Sequence, residues 1–204
     1  MSITVMVRRV AQPGAEEALL QAMVQAFETR HGYRRSSICV FQSEDDRAVG
    51  MYVAEWESRD AYLARDSTHS AHIDELCRSV ERHYYERLHL FERMLESGPF
   101  VMCTKLQVPP AVHDEALDYL LHQSRPAIWA LPGCVYSALH RDLDIPGSLF
   151  AMHRWRTAAD VERYDAVRQD LGRPLIERGV RIERFRARCR GETALAGAPA
   201  ARSA

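Results

Sequence analysis

Val49-Gly50-Met51-Tyr52-Val53-Ala54-Glu55-Trp56-Glu57-Ser58, with Tyr62 following, has a counterpart in Leu149-Phe150-Ala151-Met152-His153-Arg154-Trp155-Arg156-Thr157, with Tyr164 following. Each stretch is an alternating, strand-like run into a tryptophan, then a short polar link and a helical segment with an early aromatic. Trp56 and Trp155 stand 99 residues apart. A repeat at that spacing divides the 204-residue chain into two sibling units, each long enough to own a core.

Outward from these stretches, both units read in one order. In the first, Ile3–Val10 opens as a strand, Pro13-Gly14 turns, and Leu19, Leu20, Met23, Val24 and Phe27 form one apolar stripe on a helix of about residues 14–30. Ser37–Gln42 and Ala48–Trp56 follow as a hairpin across Glu44–Arg47, then a helical region from Arg59 to about Tyr84, broken near Ser67, and a last strand Arg87–Met94. Ser97-Gly98-Pro99 punctuates the chain, and the second copy begins: strand Phe100–Val108, a helix carrying Val112, Leu117, Leu120 and Leu121, and Pro132-Gly133 before strand Cys134–His140. The Trp155 strand, a helix over Ala158–Gln169 and strand Val180–Phe185 complete it. The expected domains are residues 1–96 and 100–189, with 190–204 a disordered, Ala/Gly/Pro/Ser-rich tail.

The order β-α-β-β-α-β in each half predicts an α+β fold of two ferredoxin-like domains in tandem, helices covering one face of each antiparallel sheet. The other face of each sheet then needs a cover, and the sibling sheet supplies it.

Composition narrows function. With 27 Lys+Arg against 28 Asp+Glu the net charge is −1, which points away from nucleic acid and from anionic membranes. No apolar run is long enough to span a bilayer, and the opening residues lack a secretory pattern. Cys39, Cys77, Cys103, Cys134 and Cys189 are odd in number and scattered, as expected for reduced thiols in a cytoplasmic protein. Lys105 is the only lysine, and asparagine is absent. No phosphate loop, nucleophile elbow or dinucleotide fingerprint occurs. The basic and aromatic run Arg82–Arg87 is interrupted by glutamate and reads as a solvated helix end.

Trp56-Glu57-Ser58-Arg59-Asp60-Ala61-Tyr62, Ser67-Thr68-His69 and the run from Pro132-Gly133 to Trp155 resemble the antibiotic biosynthesis monooxygenase family of the dimeric α+β barrel superfamily. The resemblance spans nearly all of both halves. It implies a homodimer fused head to tail, an intramolecular pseudo-dimeric barrel, with further homodimerisation left open. It implies a monooxygenase that oxidises a small aromatic, quinol or polyketide-type substrate with molecular oxygen and no cofactor. The alternative is a non-catalytic, small-ligand-binding or stress-associated barrel.

The same resemblance places the site between sheet and helices. His153, Trp155 and His69 are the catalytic candidates; Trp56, Tyr52, Tyr62, His140 and Tyr164 are the substrate-binding ones. Trp155, His153 and Tyr164 form one expected pocket, and Trp56, Tyr52, Tyr62 and His69 the other. Strand alternation sets Tyr52 and Ala54 on the face of Trp56, and Ala151 and His153 on the face of Trp155. An imidazole on that face suits acceptance of a phenolic proton near neutral pH, while a tryptophan closing a strand serves equally as core. Oxidising members often hold asparagine where Tyr52 or Ala151 stands, so that clamp is missing here. His69 and His72 lack a third ligand at a recognisable spacing, and no metal site is expected.

Overall fold

The computed structural model describes residues 2–28, 39–64, 68–93 and 98–192. The first module runs β1 (Ile3–Ala11), α1 (Glu16–Glu28), β2 (Cys39–Ser43), β3 (Val49–Trp56), α2 (Arg59–Leu63), α3 (Thr68–Glu75) and β4 (Cys77–Glu92). The second runs β5 (Phe100–Gln107), a 3-10 turn (Pro110–Val112), α4 (His113–Tyr119), a π-helical turn (Leu120–Ser124), α5 (Arg125–Ala130), β6 (Cys134–Asp142), β7 (Ser148–Trp155), α6 (Ala158–Glu177) and β8 (Arg181–Glu192).

The strands close into one barrel in the order β1-β3-β2-β8-β5-β7-β6-β4. Each module contributes the same ferredoxin-like order, β4-β1-β3-β2 and β8-β5-β7-β6. The two seams, β2 with β8 and β4 with β6, are antiparallel, so the second strand of each module pairs with the last strand of the other. Closure leaves no unpaired sheet edge to template further strand addition.

Alternation along the strands sorts the core into layers. Met6, Phe41 and Tyr85 of the first module meet Val101, Tyr136 and Phe150 of the second inside the barrel. The outward faces carry the helices: Val5, Val40 and Trp56 under the first module's, Leu106, Leu139 and Leu149 under the second's. The sibling sheets therefore cover each other, as the duplication predicts.

The helices start where the chemistry allows. Ser58 caps α2 by accepting from the Ala61 N–H at 3.0 Å. Thr157 and Asp160 form a reciprocal capping box on α6. Gly133, at φ 81°, lies under that box: a Cβ there would come within 2.2 Å of the Asp160 carboxylate oxygen, so the Pro132-Gly133 turn is a packing requirement.

Four expectations need correction. The helix predicted to reach Tyr84 ends at Glu75, and Cys77–Tyr84 instead begins the 16-residue β4. Arg and Glu favour helix locally, but pairing with β1, which sets Tyr84 against Val5 and Tyr85 against Thr4, decides otherwise. Arg82–Arg87 is accordingly strand, with Tyr84 and Tyr85 buried on opposite faces rather than at a solvated helix end. The second module's last helix extends to Glu177, beyond Gln169, and its last strand to Glu192, into the segment expected as tail. The predicted break near Ser67, the segment His31-Gly32, and residues 193–204 lie outside the described residues. Among those described, no helix is long and apolar enough to cross a membrane.

Candidate functional site

The two tryptophans hold equivalent register. Trp56 pairs with Ile3 at the start of β1, Trp155 with Phe100 at the start of β5. Two residues earlier stand Ala54 and His153, and four earlier Tyr52 and Ala151, so the modules differ where their sheets face the helices. In the first, Tyr52, Trp56 and Tyr62 are buried together, Tyr62 lying edge-on to Trp56 at 5.3 Å and to Tyr84 at 5.7 Å. These side chains pack as core, and none of them borders the crevice found in the second module. His69 is in α3, but its side chain lies outside the described residues. His72 is exposed and faces Glu75 at 3.8 Å.

In the second module a narrow crevice, about 30 Å³ in its enclosed part and about 430 Å³ when space open to solvent is counted, lies between sheet and helices, bordered by Thr104, Arg125, Ala151, His153, Tyr164 and Arg184 among others. Ala151 leaves space at the position that Tyr52 fills in the first module. Trp155 does not line the crevice; it is wholly buried behind it, 5.3 Å from the Tyr164 ring. Its indole N–H finds no acceptor among the described residues. The structure thus brings His153 and Tyr164 together, their rings 5.8 Å apart, with Trp155 as support rather than wall.

His153 is held by a chain of donors. The β6–β7 register sets Ser137 opposite it, and Ser137 Oγ lies 2.9 Å from His153 Nδ1. Arg125 Nη2 donates to Ser137 Oγ at 3.0 Å and also to the Ser137 carbonyl oxygen. An arginine only donates, so the serine hydroxyl accepts from Arg125 and its own proton is available to His153 Nδ1. Donation to Nδ1 goes with the tautomer of the neutral imidazole that carries its proton on Nε2. Burial, with help from Arg125 and Arg184, pushes His153 down to about 3, so the ring is neutral near pH 7. Burial also lowers Arg125, to about 10, which leaves it cationic. The Tyr164 phenol is pushed up by burial, although Arg184, hydrogen-bonded to it, opposes the shift.

His140 is not part of this group. Lying three residues from Ser137 along β6, it faces the barrel interior, its ring about 6.0 Å from those of Tyr85 and Phe150. Its Nδ1 donates to the Phe150 carbonyl at 3.3 Å, and burial pushes it down to about 3. The thiols offer no nucleophile here: burial raises Cys103 and pushes Cys134 up to about 12. Among the described residues, no group of three or more His, Cys, Asp or Glu is arranged to hold a metal ion.

Sequence reasoning missed Arg125, Ser137 and Thr104. A signal for Arg125 existed: it stands four residues after Leu121 and three before Ile128, a charge on an apolar stripe. The π-helical turn Leu120–Ser124 just before it, closed by the Arg125 N–H bonding to the Leu120 carbonyl, turns that charge into the protein. Ser137 and Thr104 look like ordinary strand residues, and only the register reveals them.

Residues 99–167 match the family described as Antibiotic biosynthesis monooxygenase. The match lies wholly in the second module and includes β5, Arg125, Ser137, His153 and Tyr164. Among solved structures, an anthrone oxidase-like protein is similar over 98% of this chain and 96% of its own, at 16% identity and a TM-score of 0.72. A putative monooxygenase from Fusobacterium nucleatum is similar over 92% of each chain, at 11% identity and a TM-score of 0.75. A heme-degrading enzyme from Listeria monocytogenes is similar over 91% of this chain and 98% of its own, at 10% identity and a TM-score of 0.52. At such identities the likeness is one of fold. No curated protein matches.

Proposed function

We propose that this protein, whose second module matches the antibiotic biosynthesis monooxygenase family, is a monooxygenase acting on a small aromatic or quinol in the crevice between the second sheet and its helices. One observation carries the reading: a crevice lies between sheet and helices in the module that matches the family, and His153 and Tyr164 border it. The reaction needs little from the protein. An ionised anthrone donates electrons to oxygen itself; one oxygen atom enters the methylene carbon as a carbonyl, and the other leaves as water with the two hydrogens of that carbon, whereas a phenol going to a quinone gives up one ring hydrogen and its hydroxyl hydrogen to that water. The protein binds the aromatic, excludes water and stabilises the anion. In this reading Tyr164 and the His153 Nε2–H orient the substrate oxygen, while Trp155 and Tyr164 keep the wall rigid.

Oxygen consumption by metal- and flavin-free protein, with a panel of anthrones and hydroquinones, tests this. Turnover on at least one substrate, lowered by His153→Gln and by Tyr164→Phe, is expected. Turnover that persists in both variants removes these residues from the site, and no uptake on any substrate removes the reaction.

A second reading rests on the state of His153. A ring whose burial pushes it down to about 3 is a poor proton acceptor near neutral pH. The crevice then binds a small aromatic without oxidising it. Aromatic binding by calorimetry in the absence of oxygen uptake is the outcome that selects this reading.

A further inference from the structure

The lining of the crevice is electrically one-sided. It includes three guanidinium groups, Arg125, Arg168 and Arg184, and not one carboxylate. Two of the three are engaged: Arg168 lies 2.6 Å from Asp165, and Arg184 bonds the Tyr164 hydroxyl. Arg125 differs. It is 1% exposed, and its Nη2 is committed to Ser137, but its Nε and Nη1 have no hydrogen-bond partner and face no carboxylate among the described residues. A guanidinium buried without a counter-charge is unfavourable unless something strongly accepting reaches it.

Neighbouring groups point the same way. The Thr104 hydroxyl, also on the lining, is buried without a partner. With Ser137 donating to its Nδ1, His153 presents Nε2–H as a further donor. Around the rest of the crevice stand Leu106, Leu139 and Ile182, apolar surface for a ring. Donors at one place and hydrocarbon elsewhere are complementary to an aromatic body carrying a charged oxygen.

We propose that this crevice is a receptor for an aromatic oxyanion, a ring-borne carboxylate or phenolate, and that Arg125 holds the charged oxygen. This deepens the reading of the crevice as a ligand site and does not require that oxidation occur there. Arg125 thereby selects the ionised form of its ligand, and the π-helical turn before it is the device that brings the charge to the pocket.

The probes are benzoate, its neutral isostere benzamide, and 4-nitrophenol, whose colour reports ionisation. Calorimetry on the full chain is expected to show benzoate bound about tenfold or more tightly than benzamide, the span of one charge-assisted hydrogen bond. Bound 4-nitrophenol is expected to ionise at lower pH than free. Arg125→Met abolishes both effects, while Arg125→Lys, which keeps the charge and loses the fork, retains part of each. Equal affinity for benzoate and benzamide in the wild-type protein, or no binding of either, overturns the proposal without recourse to any variant. So does an Arg125→Met protein that keeps the preference. Benzoate preference without oxygen uptake defeats the monooxygenase reading alone, and uptake without the preference defeats this one alone.

Discussion

Ala151 and Tyr52 occupy equivalent places on the two sheets, and Ala151, a methyl group where the first module has a phenol ring, borders the crevice of the second. Ala151→Tyr should fill that crevice. The expected result is loss of benzoate binding in calorimetry, with overpacking costing about 1–3 kcal/mol in urea denaturation. Retained binding with that stability change places the ligand elsewhere. The two buried imidazoles make a separate prediction. His140 and His153 are both pushed down to about 3, whereas in the unfolded chain each titrates near about 6.5. Between those values the unfolded chain binds protons that the folded one refuses. Their contribution to stability is therefore complete above about pH 6.5 and falls as the pH drops toward about 3. His140→Leu removes one of the two and leaves the crevice untouched, so the loss of stability between about pH 7 and pH 4.5 should become shallower. An unchanged slope means that His140 is not excluded from protonation in the fold.

At the scale of elements, α6 depends on its first turn and on the glycine beneath it. Thr157→Ala removes one half of the capping box and should cost about 1 kcal/mol. Gly133→Ala should cost more, about 2 kcal/mol, because it adds a strained left-handed residue to the displacement of Asp160. Thermal melts of both variants check the order, and a Gly133→Ala protein as stable as wild type would show that the turn relaxes freely. This ranking was half legible in sequence: Pro132-Gly133 announced a turn, and the polar link after Trp155 announced a helix start. Their stacking, glycine under cap, was not. Nor was β4. Cys77–Tyr84 carries arginine and glutamate at helix-compatible spacing, and its strand state depends on β1, more than sixty residues away in the chain.

At the centre of the whole molecule lies a core that neither module owns. Phe41 and Met51 from one half pack in the same cluster as Phe150 and Met152 from the other, and both seams join strands of different modules. The chain should therefore unfold as one cooperative unit in calorimetry, and Phe41→Ala, costing about 3–5 kcal/mol, should lower a single transition. Two separate transitions would mean that the modules fold independently. Residues 98–192 expressed alone expose the unpaired edges of β6 and β8 and a bare apolar face; they should self-associate, β6 of one copy against β8 of another. Light scattering that finds a stable monomer contradicts this.

Sequence by itself determined the duplication, the strand and helix order of each half, the class of fold, and the face of the sheet on which Trp56, Trp155 and His153 lie. These are local matters, fixed by side-chain periodicity and turn chemistry within a few residues. Only the tertiary structure decided that Trp155 backs the crevice instead of lining it, that His140 belongs to the barrel interior, and that Arg125, Ser137 and His153 form one chain of donors. Such facts depend on strand register and on how far each helix stands from its sheet. Both are set by packing between residues distant in the chain, and the spacing of residues along one strand carries no record of them.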